Sequence, residues 1–207
     1  MIVLAIQIVN NESAVQDMFF EAWAESYEKI LGRNPTPKDI FPTRADRGTT
    51  FFKTFGAGQT EFHVNIRPSS EGAGDRPVAV QAVTDYGDFY SGGGARSVAN
   101  PQLFSKGKVP SRTVDGIKVS GGWSEIYEGV MNKYTDKPMI LSIANKDLIP
   151  KWRGLGFKPY NEETANLPEA VKEKLKGLKF PIYYRDSGEM KKSFAYIWGK
   201  YIHKCDL

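Results

Sequence analysis

Several residues have the type and spacing to do chemistry. Gly121-Gly122 stands two residues ahead of Ser124, which reads as a helix N-cap. Glycines running into a helix expose backbone N–H groups at the positive end of its dipole, which makes an anion site suited to a pyrophosphate. Asn145, Trp152 and Gly156-Phe157 follow an apolar run, Met139 to Ile143. An asparagine at the end of a buried strand offers an amide to a ligand arm, and an aromatic beside it offers a wall. Asp85 and Asp88 flank Tyr86 at another strand end, where a carboxylate could take a proton from an amine. Each has a plainer use as well. Gly121-Gly122 makes a tight turn, Trp152 and Phe157 anchor a core, and turn carboxylates are solvated. Gly92-Gly93-Gly94 reads as a flexible loop and as the second place for an anion.

These residues need elements to hold them. Residues 2–9 form an apolar run that reads as a buried first strand. Ser13 and Gln16 have capping-box spacing, and Val15, Phe19, Ala22, Trp23, Tyr27 and Ile30 recur as one helical face. Gly32 and Asn34-Pro35 stop that helix. Residues 35–48 read as an irregular connection. Thr49 to Phe55 and Glu61 to Arg67 read as a hairpin about Gly56–Gln59, with His63 and Asn65 turned away from the buried face. Residues 77–84 form a further strand. Residues 85–116 keep no period and read as a long irregular loop, which in a compact domain is functional or mobile. Residues 117–120 read as a strand, 124–134 as a helix and 139–143 as a buried strand parallel to 117–120. Residues 168–178 read as an amphipathic helix and 180–185 as a strand. The chain is expected to form one α/β domain on a central mixed, splayed sheet flanked by helices, ending in a basic, aromatic-rich segment over 179–207.

Composition narrows the chemistry. The chain has 207 residues, 41% hydrophobic and 13% aromatic, with a net charge of +4. Residues 1–32 carry −4 and residues 146–207 carry +5. Cys205 is the single cysteine and the two histidines are His63 and His203, so neither a disulfide framework nor a zinc site is expected. The apolar start is too short to span a bilayer and lacks a basic leader, so a cytoplasmic protein without a membrane partner is expected. Nucleophile-elbow, Walker A, zincin and CxxC sequences are absent, and no dinucleotide fingerprint follows the first strand.

The order strand, Gly-Gly turn, helix, strand, Asn, short helix, Gly-Phe over residues 116–157 resembles the GCN5-related N-acetyltransferase (GNAT) superfamily. Lys151-Trp152-Arg153-Gly154-Leu155-Gly156-Phe157 is similar to that family's "YEKLGF" ending. The resemblance implies an acyl-CoA, in the first place acetyl-CoA, with its pyrophosphate on Ser120, Gly121, Gly122, Trp123 and Ser124. It places Asn145 on the pantetheine amides and Trp152 at the thioester. It also implies transfer of an acyl group to an amine acceptor. Trp152 stands where many members have a proton-donating tyrosine, and an indole cannot give up its proton in that step. Tyr160 is then the candidate acid, with Asp85 or Asp88 the candidate base.

Two other functions keep the same fold. Tyr183, Tyr184, Tyr196, Trp198 and Tyr201 among the lysines of the basic C-terminal third could stack and hold a nucleic acid, as phage DNA-modifying relatives of this fold do. A non-enzymatic interaction protein on a degenerate scaffold would also fit Trp152.

Overall fold

A computed structural model describes residues 5–46, 50–69, 74–92, 96–97, 113–114, 117–118, 126, 130, 133–142 and 149–188. The strands are β1 (Ala5–Val9), β2 (Gln59–Pro68), β3 (Asp75–Asp85), β4 (Tyr90–Ser91), β5 (Arg96–Ser97), β6 (Thr113–Val114), β7 (Ile117–Lys118), β8 (Met139–Ser142), β9 (Lys158–Pro159) and β10 (Ile182–Arg185). The helices are α1 (Glu12–Leu31), α2 (Pro37–Ile40), α3 (Thr50–Phe55), α4 (Ile149–Gly154) and α5 (Glu169–Lys176). Ile126, Val130 and Lys133 are also helical.

The chain folds as an α/β protein on a mixed sheet of eight strands, in the order β1-β2-β3-β4-β8-β10-β9 with β5 also on β3. Every pairing is antiparallel except one. At the centre, β4 and β8 run parallel, with Tyr90 beside Met139 and Ser91 beside Ile140.

Opposite residues in a ladder share a face and successive ones alternate. Thr60, Phe62, Thr84, Ile140 and Tyr184 therefore share one face. Glu12 of α1 reaches this face through Arg44, whose guanidinium also bonds Thr60 and Thr84 and lies over Phe62. Val15, Phe19, Trp23 and Tyr27 of α1 are buried at four-residue intervals, and Trp23 donates its indole N–H to the Pro77 carbonyl at 2.7 Å. Val171 and Leu175 of α5 close the same face over Ile140 and Tyr184. The opposite face carries Glu61, His63, Tyr90 and Met139. Tyr134, which follows helical Lys133, packs there.

Several expectations are corrected. The parallel neighbour of β8 is β4, not the strand at 117–120; β7 pairs with β6 in a separate two-stranded sheet. Thr113 pairs with Lys118 and Val114 with Ile117, and Tyr90-Ser91 takes the central place, inside the stretch read as an irregular loop. Thr50–Phe55 is a helix, because Phe51 and Phe55 at a four-residue interval lay both rings on Phe89, with centroids 6.3 and 5.3 Å away. Its turn into β2 needs glycine at 58. There φ is +56°, and a Cβ would collide with Thr84 Cγ2 and crowd the Asp85 carbonyl.

The cap of α1 is Asn11, whose side chain accepts from Ser13 and Ala14 N–H at 2.9 and 3.3 Å, rather than Ser13. The capping box belongs instead to Thr36 and Asp39 at α2, inside the connection read as irregular. The first strand is an edge strand and not a buried one: Ile6 and Ile8 are exposed, and so is Ile30. His63 and Asn65 do face away from Phe62 and Val64, yet they are buried too.

Candidate functional site

The candidate site is the seam between β4 and β8. Among the described residues the two strands pair at two positions. Beyond Ile140, β8 continues through Leu141 and Ser142 on β10. The chain leaving β4 continues along β3, where Arg96 stands opposite Val80 and Ser97 opposite Ala79. Between the pairs Thr84–Ser91 and Val80–Arg96 the sequence has four residues on one side, 92–95, and three on the other, 81–83. Parallel strands that part after a short pairing leave facing backbone edges with a slot between them. Ser91 and Gly92 are buried at its head, and Ser142 is exposed at the far end of β8.

Trp152 and Phe157 come together on the face that carries Met139. The Trp152 ring meets Phe157 edge-on at 5.5 Å, and both are buried. Gly156 has φ of 88°, and the Phe157 N–H returns to the Trp152 carbonyl at 3.1 Å. That is the bond of a Schellman cap, so the Gly-Phe pair ends α4 and seats a core ring. Pro150 sits in the first turn of α4, where its missing N–H costs nothing. The guanidinium of buried Arg185 lies 5.1 Å over Phe157 and donates to the Tyr134 carbonyl at 3.0 Å.

Tyr160 lies on the other face. Its backbone N–H bonds the Ile182 carbonyl, and Ile182 stands opposite Ser142, the last residue of β8. Its hydroxyl oxygen is buried without a hydrogen-bond partner. Burial first, then Glu162 and Glu169, raises its pKa and keeps the phenol protonated.

The two aspartates lie at the closed end of the seam. Asp85 is opposite Tyr90, accepts from Lys137 at 2.8 Å, and takes the Gly87 N–H at 2.7 Å. Asp88 is exposed in the turn before β4. Neither is brought next to Tyr160 or Trp152. Ser120, Gly121, Gly122, Trp123, Ser124 and Asn145 lie outside the described residues, as do Tyr196, Trp198 and Tyr201. Tyr183 and Tyr184 are buried strand residues and cannot stack on a nucleic acid.

Sequence reasoning missed a polar network under the helical segment. His63 Nε2 lies 2.8 Å from the Tyr134 hydroxyl, which donates to Glu61, and Lys133 donates to Glu61 at 2.6 Å. With the hydroxyl proton committed to Glu61, His63 must present Nε2–H to the Tyr134 oxygen. Desolvation, then Lys133, lowers the His63 pKa to about 4, so the ring is neutral at pH 7. Tyr134 is pushed up by burial and by Glu61, and stays protonated. The available signal was the odd-numbered polar set Glu61, His63, Asn65 on one strand face.

No group of three or more His, Cys, Asp or Glu among the described residues could hold a metal, and no described helix is long and apolar enough to cross a membrane. No protein-family profile and no curated protein matches the chain. Solved structures similar to it include acetyltransferases. One is an acetyltransferase of the GNAT family from Staphylococcus aureus Mu50, at TM-score 0.41 and 10% identity, covering 88% of this chain and 99% of that one. Another is an acetyltransferase from Streptococcus agalactiae 2603, at TM-score 0.44 and 11% identity, covering 88% and 98%. A third, described as histone acetyltransferase HPA2 and related acetyltransferase, from Corynebacterium glutamicum, has TM-score 0.35 and 14% identity, covering 91% and 99%. Likenesses at these scores fix no residue's role.

Proposed function

We propose that this protein is an acyl-CoA-dependent N-acyltransferase that passes an acyl group, in the first place acetyl, to an amine. The supporting observation is the parallel pairing of β4 and β8 at the centre of an otherwise antiparallel sheet, at two positions among the described residues. A pantetheine arm is an extended chain with two amides, and a strand edge is the surface that pairs with such a chain.

The residues present fit that ligand. Leu141–Ser142 on one side and the chain from Gly92 on the other would hold the pantetheine. Asn145, just beyond β8, would bond its amides. Ser120 to Ser124, ahead of helical Ile126, would take the pyrophosphate on backbone N–H groups. Acyl-CoA supplies a thioester activated toward amines. Holding the amine against that carbon removes the entropic cost of their meeting.

Tyr160 is the proton donor in this reading. Its phenol is protonated, buried and without an internal acceptor, and its backbone is hydrogen-bonded two strands from the seam. Trp152 serves as packing: its ring fills the space between α4 and Phe157. Asp85 is held by Lys137 at the closed end of the seam, so the amine enters as its neutral fraction and gives its surplus proton to solvent as the new C–N bond replaces the C–S bond.

Thermal melting with acetyl-CoA tests the proposal. A ligand at about 100 times its dissociation constant adds about 2.7 kcal/mol to the folded state. A raised melting temperature together with thiol release in the presence of amines is expected. An unchanged melt at millimolar acetyl-CoA overturns the reading.

A further inference from the structure

The two ends of the sheet are finished differently. At one end, β9 is Lys158–Pro159, with Lys158 exposed and paired to Asp186. A charged side chain and a proline are the ordinary means of keeping an edge strand from pairing with another chain. At the other end, β1 pairs with β2, and no described strand lies beyond it. Ala5-Ile6-Gln7-Ile8-Val9 contains no charge and no proline, and its register with β2 runs without a shift. Ile6 and Ile8 are 40% and 48% exposed, on the face that carries His63 and Asn65. Ala5–Val9 itself carries neither of the guards found on β9.

The pattern along β1 is also complementary to itself. Set antiparallel to a second β1 about a two-fold axis at Gln7, the strand places Ile6 opposite Ile8 of the other copy and Ile8 opposite its Ile6. Ala5 then meets Val9, and Gln7 meets Gln7. All five residues of the strand are paired, and both exposed isoleucines become cross-strand neighbours on one face. Registers centred on residue 6 or 8 leave part of the strand unpaired. An interface of this kind uses the same patch on both subunits and closes after two copies.

We infer that the outer edge of β1 is a homodimer interface, joining two eight-stranded sheets into one through antiparallel β1–β1 pairing centred on Gln7. The partner is a second copy of this chain. The inference is independent of the acyl-transfer reading.

Sedimentation velocity over a concentration series, with engineered cysteines, tests it. The unsubstituted protein is expected to show a concentration-dependent dimer. Ile8→Lys, folded by its melting curve, is expected to weaken that dimer at least 100-fold. Opposed residues of an antiparallel pair have Cα atoms about 4.5–5.5 Å apart, within the range of a disulfide. In a Cys205→Ser background, Gln7→Cys is therefore expected to form a covalent dimer on mild oxidation. Ile6→Cys and Ile8→Cys should cross-link when mixed, and much less alone. The cysteine pairs decide the matter even if Ile8→Lys does not fold. A monomer at every concentration overturns the inference, and so does a dimer in which Gln7→Cys fails to cross-link.

Discussion

His63 Nε2 and the Tyr134 hydroxyl meet at 2.8 Å across the interface between β2 and the helical segment before β8. The bond has a defined sense, because Tyr134 gives its proton to Glu61 and takes one from the imidazole. The network ties the segment leading into β8 to the outer half of the sheet.

Acid should loosen that tie. The His63 pKa is lowered to about 4 in the folded protein, against about 6.5 for a free imidazole. The unfolded chain therefore binds a proton here that the folded chain refuses, and stability falls as pH drops from about 6.5 to about 4. Above pH 6.5 the contribution is fully present. The expected loss is roughly 1–3 kcal/mol. Denaturant midpoints measured across this window should fall for the unsubstituted protein and stay flatter for His63→Gln. Parallel curves would remove His63 as the cause.

Trp152 separates packing from chemistry. Trp152→Ala empties the space against Phe157 and should cost about 3–5 kcal/mol of stability. Trp152→Phe keeps a ring there and should cost less, with most of the activity retained. Denaturation and amine-dependent thiol release measure the two effects. A Trp152→Phe protein that is stable but inactive would give the indole a chemical role.

Tyr160→Phe should behave in the opposite way. It removes a buried hydroxyl that has no partner, so the fold loses nothing and gains up to about 1–3 kcal/mol. Turnover should fall while acetyl-CoA binding holds. Unchanged turnover would free Tyr160 from the role of acid.

Gly122→Val should block the approach of a phosphate to the backbone and abolish acetyl-CoA binding in a protein that still melts cooperatively. Asn145→Ala should weaken binding by about 1–3 kcal/mol, the cost of an unpaired buried polar group. Calorimetric titration of both variants is the check. Normal binding by Gly122→Val would move the phosphate site to the Gly92–Gly94 run.

Long amphipathic elements were legible in the sequence. The buried positions of α1 repeat at helical spacing, and β2, β3, β8 and β10 were each read close to their bounds. Short elements decided by distant contacts were not. Phe51, Phe52 and Phe55 favour a strand by type, but packing on Phe89 makes them helical. The two residues of β4 carry no period at all, so the sequence reads as loop where the central strand lies and offers residues 117–120 in its place. His63 and Asn65 read as a solvated strand face because the tyrosine that meets His63 lies 71 positions away. The site suffered most, because its carrying feature is the divergence of two strands, a relation between segments far apart in the chain.

The narrowness of the seam also bears on how the molecule opens. Two antiparallel ladders, β1-β2-β3 with α1 and β8-β10-β9 with α5, are joined in the sheet by two residue pairs of β4 and β8. Phe19 and Trp23 belong to one apolar cluster and Val171 and Leu175 to another, and the first also takes in Met139, Leu141 and Tyr183 from beyond the seam. Native-state amide exchange should resolve two cooperative units with different opening free energies, the ladders protected and the seam exchanging first. A slot at the boundary between such units can widen by hinging without melting either one.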